Sequence, residues 1–245
     1  MINKTLPLDS TKAVLFDKDG TLCHSDFYLT SLAKARAAFC VAISHKPHLS
    51  TPLLAAYGLS NGTIKPEGAT AVASRPNNLI STATVLAIDG LAWCEALSLA
   101  EAAFNQADGA MAERKAQLTK PTIGLIPMLQ RLQAKGMSMA ILSSDTEPSL
   151  KSFLEYHQLA HFFKAVHGAE REPAKPAPAA VLNLCKELGV TPNQCGLVGD
   201  AQADLNMAAA AGISWNLAYI SGWELPLQLS GSHGYVQHWD QLVPL

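Results

Sequence analysis

A chain of 245 residues is long enough to bury a sizeable core, as one large domain or two small ones, and 49% apolar with 16% charged residues argues against extensive disorder. The net charge of −2 lacks the basic excess of a nucleic-acid binder, and no uninterrupted apolar run reaches the roughly 18 residues of a membrane span. Five scattered cysteines without CxxC spacing (Cys23, Cys40, Cys94, Cys185, Cys195), and an opening MINKTLPLDSTK without an apolar signal region, predict a cytoplasmic protein with reduced thiols, without disulfides or a zinc site.

Along the chain, the first apolar run is Ala13–Phe16, continuous and bounded by polar residues, as a strand buried on both faces should be. It ends in Asp17-Lys18-Asp19-Gly20-Thr21-Leu22, two carboxylates one residue apart at the edge of a buried core, where like charges repel most. If this segment is extended, Asp17 and Asp19 share one side and Lys18 points away. From Cys23 to Lys120 the chain is alanine-rich, with helical stretches at Thr30–Ala42 and Leu86–Gln117, glycine and proline breaks within Tyr57–Asn78, and no clear strand. The helix predicted over Ile126–Gly136 ends in a basic residue and a glycine stop. Met137–Leu142 reads as the next strand, Phe163–His167 as a weaker one, then Gly196–Val198 and Trp215–Ile220. Helices at Ala179–Leu188 and Asp204–Ala211 alternate with these strands. The tail after Gly222 is harder to read, with a short closing helix or turn expected at Trp239–Leu245.

Strands alternating with helices predict an α/β fold, a Rossmann-like, mostly parallel sheet covered on both faces. Residues 1–22 and 121–245 form this core, and 23–120 an inserted helical cap domain with hinges near Cys23–Asp26 and Lys120–Thr122. Three polar sites follow predicted strands: Asp17 and Asp19, Ser143 and Ser144, and Asp200. In an open parallel sheet they should converge beyond the carboxyl ends of the strands, where ligands bind. Asp204 lies one helical turn after Asp200, and Lys175 stands among prolines just before a helix.

Taken in order, these residues carry a resemblance. Asp17-Lys18-Asp19-Gly20-Thr21 resembles the DxDGT signature of the haloacid dehalogenase-like (HAD) hydrolase superfamily. Ser143 is similar to its second motif, Lys175 to the lysine of its third, and Gly199-Asp200-Ala201-Gln202-Ala203-Asp204 to the GDxxxD form of its fourth. The cap falls where the phosphoglycolate phosphatase-like branch has one. The resemblance implies a phosphatase acting on a small phosphorylated metabolite, phosphoglycolate-like or a sugar phosphate. Asp17 would be the nucleophile and form an aspartyl-phosphate, and Asp19 the general acid and base. Mg²⁺ would be held by the Asp17 and Asp200 carboxylates and the Asp19 carbonyl, supported by Asp204. Ser143 and Ser144 would hold phosphoryl oxygens, and Lys175 would offset charge on nucleophile and phosphate. No nucleic acid or membrane partner is expected, and the sequence leaves the oligomeric state open between monomer and homodimer.

Alternatives remain at this point. A phosphomutase of the β-phosphoglucomutase type would share these core residues, and a non-catalytic phosphate-ligand binder would share the fold. Asp-Gly alone is also a hairpin signal, and an EF-hand fails because the glycine comes too early. His157 and His161 have the spacing of a metal pair but lack a third ligand. Trp93, Trp215, Trp223 and Trp239 read as packing residues. The sequence departs from the family pattern at His24, where many relatives carry an acid, and at Ser144, where asparagine is common. His24 reads equally as a residue near the site entrance or as a solvent-facing hinge residue.

Overall fold

The computed structural model describes residues 6–242 and divides the chain into two compact units, one formed by the chain up to Ser25 together with Thr119 onward, the other by Asp26–Leu118. The first unit is built on a six-stranded sheet whose strands are β1 (Ala13–Phe16), β2 (Ser138–Leu142), β3 (Phe163–His167), β4 (Cys195–Gly199), β5 (Trp215–Tyr219) and β6 (Tyr235–Val236). Their order is β6-β5-β4-β1-β2-β3, and every neighbouring pair is parallel. The five strands expected from apolar runs are all present; β6 was not expected, because two residues carry no periodic pattern.

The continuous apolar runs have a simple cause. Successive side chains of a strand point to opposite faces, and here helices cover both. Val14, Phe16, Met139, Ile141, Val198 and Leu217 pack on one face with helices Leu125–Ala134 and Glu147–Tyr156. Ala13, Leu15, Ala140, Leu142 and Leu197 pack on the other with helices Pro178–Glu187 and Gln202–Ala210. Helix Leu125–Ala134 stops before Gly136, at positive φ, the glycine stop expected there. Helix Glu147–Tyr156 was not expected, although Thr146 caps it by accepting the Ser149 N–H at 3.4 Å. The closing turn is a short 3-10 helix over Trp239–Gln241 followed by the buried Leu242; residues 243–245 of the stretch expected there lie outside the described residues, as do residues 1–5 of the opening segment.

The chain leaves and re-enters this unit side by side. Cys23–His24 pairs antiparallel with Lys120–Pro121, and Thr122 donates its N–H to Leu22 O at 2.9 Å.

The second unit is mostly helical, with long helices at Asp26–Ser44, Arg75–Ile88 and Trp93–Met111. Buried alanines at 33, 37, 96, 100, 103 and 107 provide small surfaces for close helix packing. The single stretch expected over Leu86–Gln117 is divided. Asp89 and Gly90 interrupt it, Gly90 at φ +98°, and the preceding helix reaches back to Arg75, into the end of the glycine- and proline-broken segment Tyr57–Asn78. Where no strand was expected, Leu59–Ser60 and Thr63–Ile64 form a hairpin across Asn61 and Gly62, both at positive φ. Asn-Gly is a strong hairpin turn signal, and strands this short leave no other trace in the sequence.

Candidate active site

The register of the parallel sheet sets the site. Phe16 stands level with Ile141 on one side and Val198 on the other, and the Asp17 N–H donates to Val198 O at 3.0 Å. Asp17, Ser143 and Asp200 therefore leave three adjacent strands at nearly the same level of the sheet's carboxyl edge. Asp204 follows on the first turn of helix Gln202–Ala210, and Lys175 on the loop between β3 and helix Pro178–Glu187.

Side chains complete the cluster. The Lys175 ammonium lies 2.6 Å from Asp17 Oδ1 and 2.5 Å from Asp204 Oδ1. Asp204 Oδ2 accepts the Ala201 N–H at 3.2 Å, so this carboxylate ties the lysine to the start of its own helix. Oxygens of Asp17, Asp200 and Asp204 lie within 4.8 Å of one another. Asp200 Oδ1 accepts from the Thr21 hydroxyl at 2.8 Å and Oδ2 from the Trp223 indole at 2.6 Å.

Burial dominates the electrostatics. It lifts the Asp17 carboxyl to about 6 against the opposing pull of Lys175, and it raises Asp200 well above the ordinary carboxylate range, with the neighbouring Asp17 charge adding to the effect. Burial alone would lower Lys175, but Asp17 and Asp204 outweigh it and hold the ammonium charged. Three clustered carboxylates, of which Asp17 and Asp204 meet the ammonium, leave an excess of negative oxygen donors that suits a hard divalent cation.

Lys18 corrects the expectation from alternation. The chain is not extended beyond Asp17: Thr21 and Cys23 both donate N–H groups to Lys18 O, at 3.2 and 3.1 Å, and Gly20 N–H donates to Cys23 O at 2.9 Å. Within this tight loop Lys18 is fully buried and does not point away from Asp19. Its ammonium lies 2.7 Å from Asp19 Oδ1 and 3.2 Å from Asp145 Oδ2. Ser25 also donates to Asp19 Oδ1. Asp19 is therefore anchored through one oxygen, while its Oδ2 accepts no hydrogen bond from the described residues.

Ser143 is buried, accepts the Asp145 N–H on Oγ at 3.2 Å and donates its own N–H to His167 O at 3.0 Å. Ser144 follows it, half-buried. His24 is also half-buried, with Nδ1 3.1 Å from Gly222 O. His157 and His161 do not meet at a metal cluster; His157 Nε2 instead lies 2.9 Å from Thr119 O. Sequence reasoning missed Thr21, Lys18, Asp145 and Trp223 as partners of the site. Thr21 at least lies in the DxDGT signature; nothing local marks Trp223, 23 positions beyond Asp200.

The sequence pattern of haloacid dehalogenase-like hydrolases matches residues 11–212. A phosphoglycolate phosphatase of Pseudomonas putida is 34% identical over 117 residues, 47% of this chain and 43% of that protein. A phosphoglycolate phosphatase of Escherichia coli is 30% identical over 118 residues, 47% of each chain. The matched segment thus spans less than half the length of these relatives. Among solved structures, a predicted phosphoglycolate phosphatase from Haemophilus somnus superposes with a TM-score of 0.73 at 20% identity, covering 95% of this chain and 96% of that one. A match across most of the chain, on a sheet whose carboxyl edge gathers Asp17, Lys175, Asp200 and Asp204, makes the chain a member of the haloacid dehalogenase-like hydrolase family.

Proposed function

We propose that this protein is a Mg²⁺-dependent phosphatase that hydrolyses a small phosphorylated metabolite through an aspartyl-phosphate on Asp17. One observation carries the reading: Lys175 engages Asp17 Oδ1 while Asp17 Oδ2 accepts no hydrogen bond from the described residues, leaving an oriented oxygen for attack on phosphorus. The naming of partial relatives as phosphoglycolate phosphatases supports a phosphoglycolate-like or sugar-phosphate substrate.

Asp17 and Asp200, with the Asp19 carbonyl, would hold the cation, and Asp204 would support it. When bound, Mg²⁺ supplies positive charge against the phosphoryl oxygens. The chain's own residues do the rest. Asp17 Oδ2 bonds to phosphorus as the bond to the leaving oxygen breaks, and Asp19 gives that oxygen a proton. Water then attacks phosphorus, Asp19 takes the water's proton, and phosphate departs from a restored Asp17. Lys175 offsets charge on Asp17 and on the transferring group, while the Ser143 hydroxyl and the Ser144 segment hold phosphoryl oxygens.

The test is turnover of p-nitrophenyl phosphate. We expect activity with Mg²⁺, none after chelation, and a loss of about a thousand-fold or more in Asp17→Asn, as removal of a nucleophile elsewhere implies. Wild-type-like turnover by that variant would overturn the mechanism.

A further inference from the structure

Trp223 lies beyond the residues matched by the family pattern, yet it touches the carboxylate cluster directly. Asp200 is buried and receives one donor on each oxygen, Thr21 Oγ1 on Oδ1 and Trp223 Nε1 on Oδ2. Two donors on opposite oxygens fix rotation of the carboxylate about its bond to Cβ. Each oxygen can still accept a second partner, so neither donor prevents ligation.

The indole is itself held in place. Its ring rests on the Cα of Gly20, where an added Cβ would fall 2.1 Å from Trp223 Nε1 and 2.4 Å from Asp200 Oδ2. Gly20 also sits at φ +79°, so glycine is needed there for both the turn and the close approach. The Cα of Gly222 packs on the Gly20 carbonyl, where a Cβ would fall 1.7 Å from the oxygen, and Gly222 O meets His24 Nδ1. Gly222 and Trp223 are thus docked on the same turn that presents Asp17 and Asp19. Packing alone does not require a tryptophan, since phenylalanine would also cover Gly20. What tryptophan adds is one N–H donor and no acceptor, aimed at a buried carboxylate.

We propose that Trp223 is a positioning residue for the divalent cation, its indole N–H setting the orientation in which Asp200 ligates the ion. This rests on the cation-dependent reading above. Donors to a metal ligand commonly change affinity by about 10–100-fold when removed. Phenylalanine would leave Asp200 Oδ2 without its donor and free the carboxylate to turn.

The experiment is a calorimetric Mn²⁺ titration of the whole chain, comparing wild type with Trp223→Phe and with β-(3-benzothienyl)alanine at position 223. The second replacement exchanges N–H for sulfur at nearly constant shape and keeps the test open if Trp223→Phe does not fold. We expect Mn²⁺ affinity to fall about ten-fold or more in both, and the Mg²⁺ concentration for half-maximal turnover to rise more than saturated turnover falls. Wild-type affinity in the benzothienyl protein would reduce Trp223 to packing and overturn the inference. A wild-type protein that binds no Mn²⁺ would remove the cation reading, and this inference with it.

Discussion

Lys175 condenses the chemistry of the site into one side chain. Its ammonium touches two carboxylates that approach from β1 and from helix Gln202–Ala210, and it is largely sequestered from water. Removing it would leave Asp17 and Asp204 facing each other in a buried site without a counter-charge. Lys175→Ala should slow p-nitrophenyl phosphate turnover by about two to three powers of ten, the loss seen for other preorganised charge stabilisers. An unchanged rate would assign the charge to a different residue. Lys175 was legible through its place in the ordered set of family motifs, since a lysine among prolines reads by itself as a solvated surface residue. Lys18 was misread for a physical reason. Alternation holds only for extended backbone, and the chain folds back on Lys18 O within five residues. There Lys18 is buried against Asp19 and Asp145, and those carboxylates outweigh the effect of burial and keep the ammonium charged.

The elements were legible in proportion to the apolar pattern each carries. Strands buried along their whole length announce themselves as largely apolar runs, as β1, β2, β4 and β5 do, whereas the edge strand β3, with Lys164 exposed, carries a weaker pattern. Helix Glu147–Tyr156 had a readable signal, Leu150, Phe153 and Leu154 on one face behind a Thr146 cap, and was passed over. The break at Asp89 and Gly90 was marked only by a glycine amid helix-forming residues. Trp239 shows what no local pattern reveals. Its short 3-10 turn looks trivial in sequence, yet the ring stacks on Tyr219 at 4.4 Å, meets Phe16 edge-on at 6.1 Å and donates to Thr122 Oγ1 at 2.8 Å. It thereby ties the chain's closing turn to β1, β5 and the re-entry point of the first unit. Trp239→Ala should cost about 3–5 kcal/mol, the range for truncating a large buried aromatic. Urea unfolding would measure this, and a loss below about 1 kcal/mol would show that the turn is not part of the core.

At the scale of the whole molecule, one unit is assembled from two separated segments with the other inserted between them. Carboxylates from residues 17, 200 and 204 meet in the first unit, and folding must bear their mutual repulsion. A cation that binds only the folded cluster would return that cost as stability. The thermal midpoint should therefore rise with Mg²⁺, by an amount equivalent to about 2.7 kcal/mol at a hundred times the dissociation constant. Asp200→Asn should lose most of the rise, and a wild-type midpoint insensitive to Mg²⁺ would count against a cation at this cluster. By itself the sequence marked the five main strands of the sheet, most of the helices that alternate with them, and the four motifs that carry the family pattern, because hydrophobic periodicity and short motifs are local properties. Only the tertiary structure decided which donors meet each carboxylate. The Thr21–Asp200 bond spans 179 positions of sequence, and the Trp223 indole reaches Asp200 through a glycine contact that no spacing rule contains. Such pairings depend on sheet register and on the room left above Gly20, and these exist only once the chain is folded.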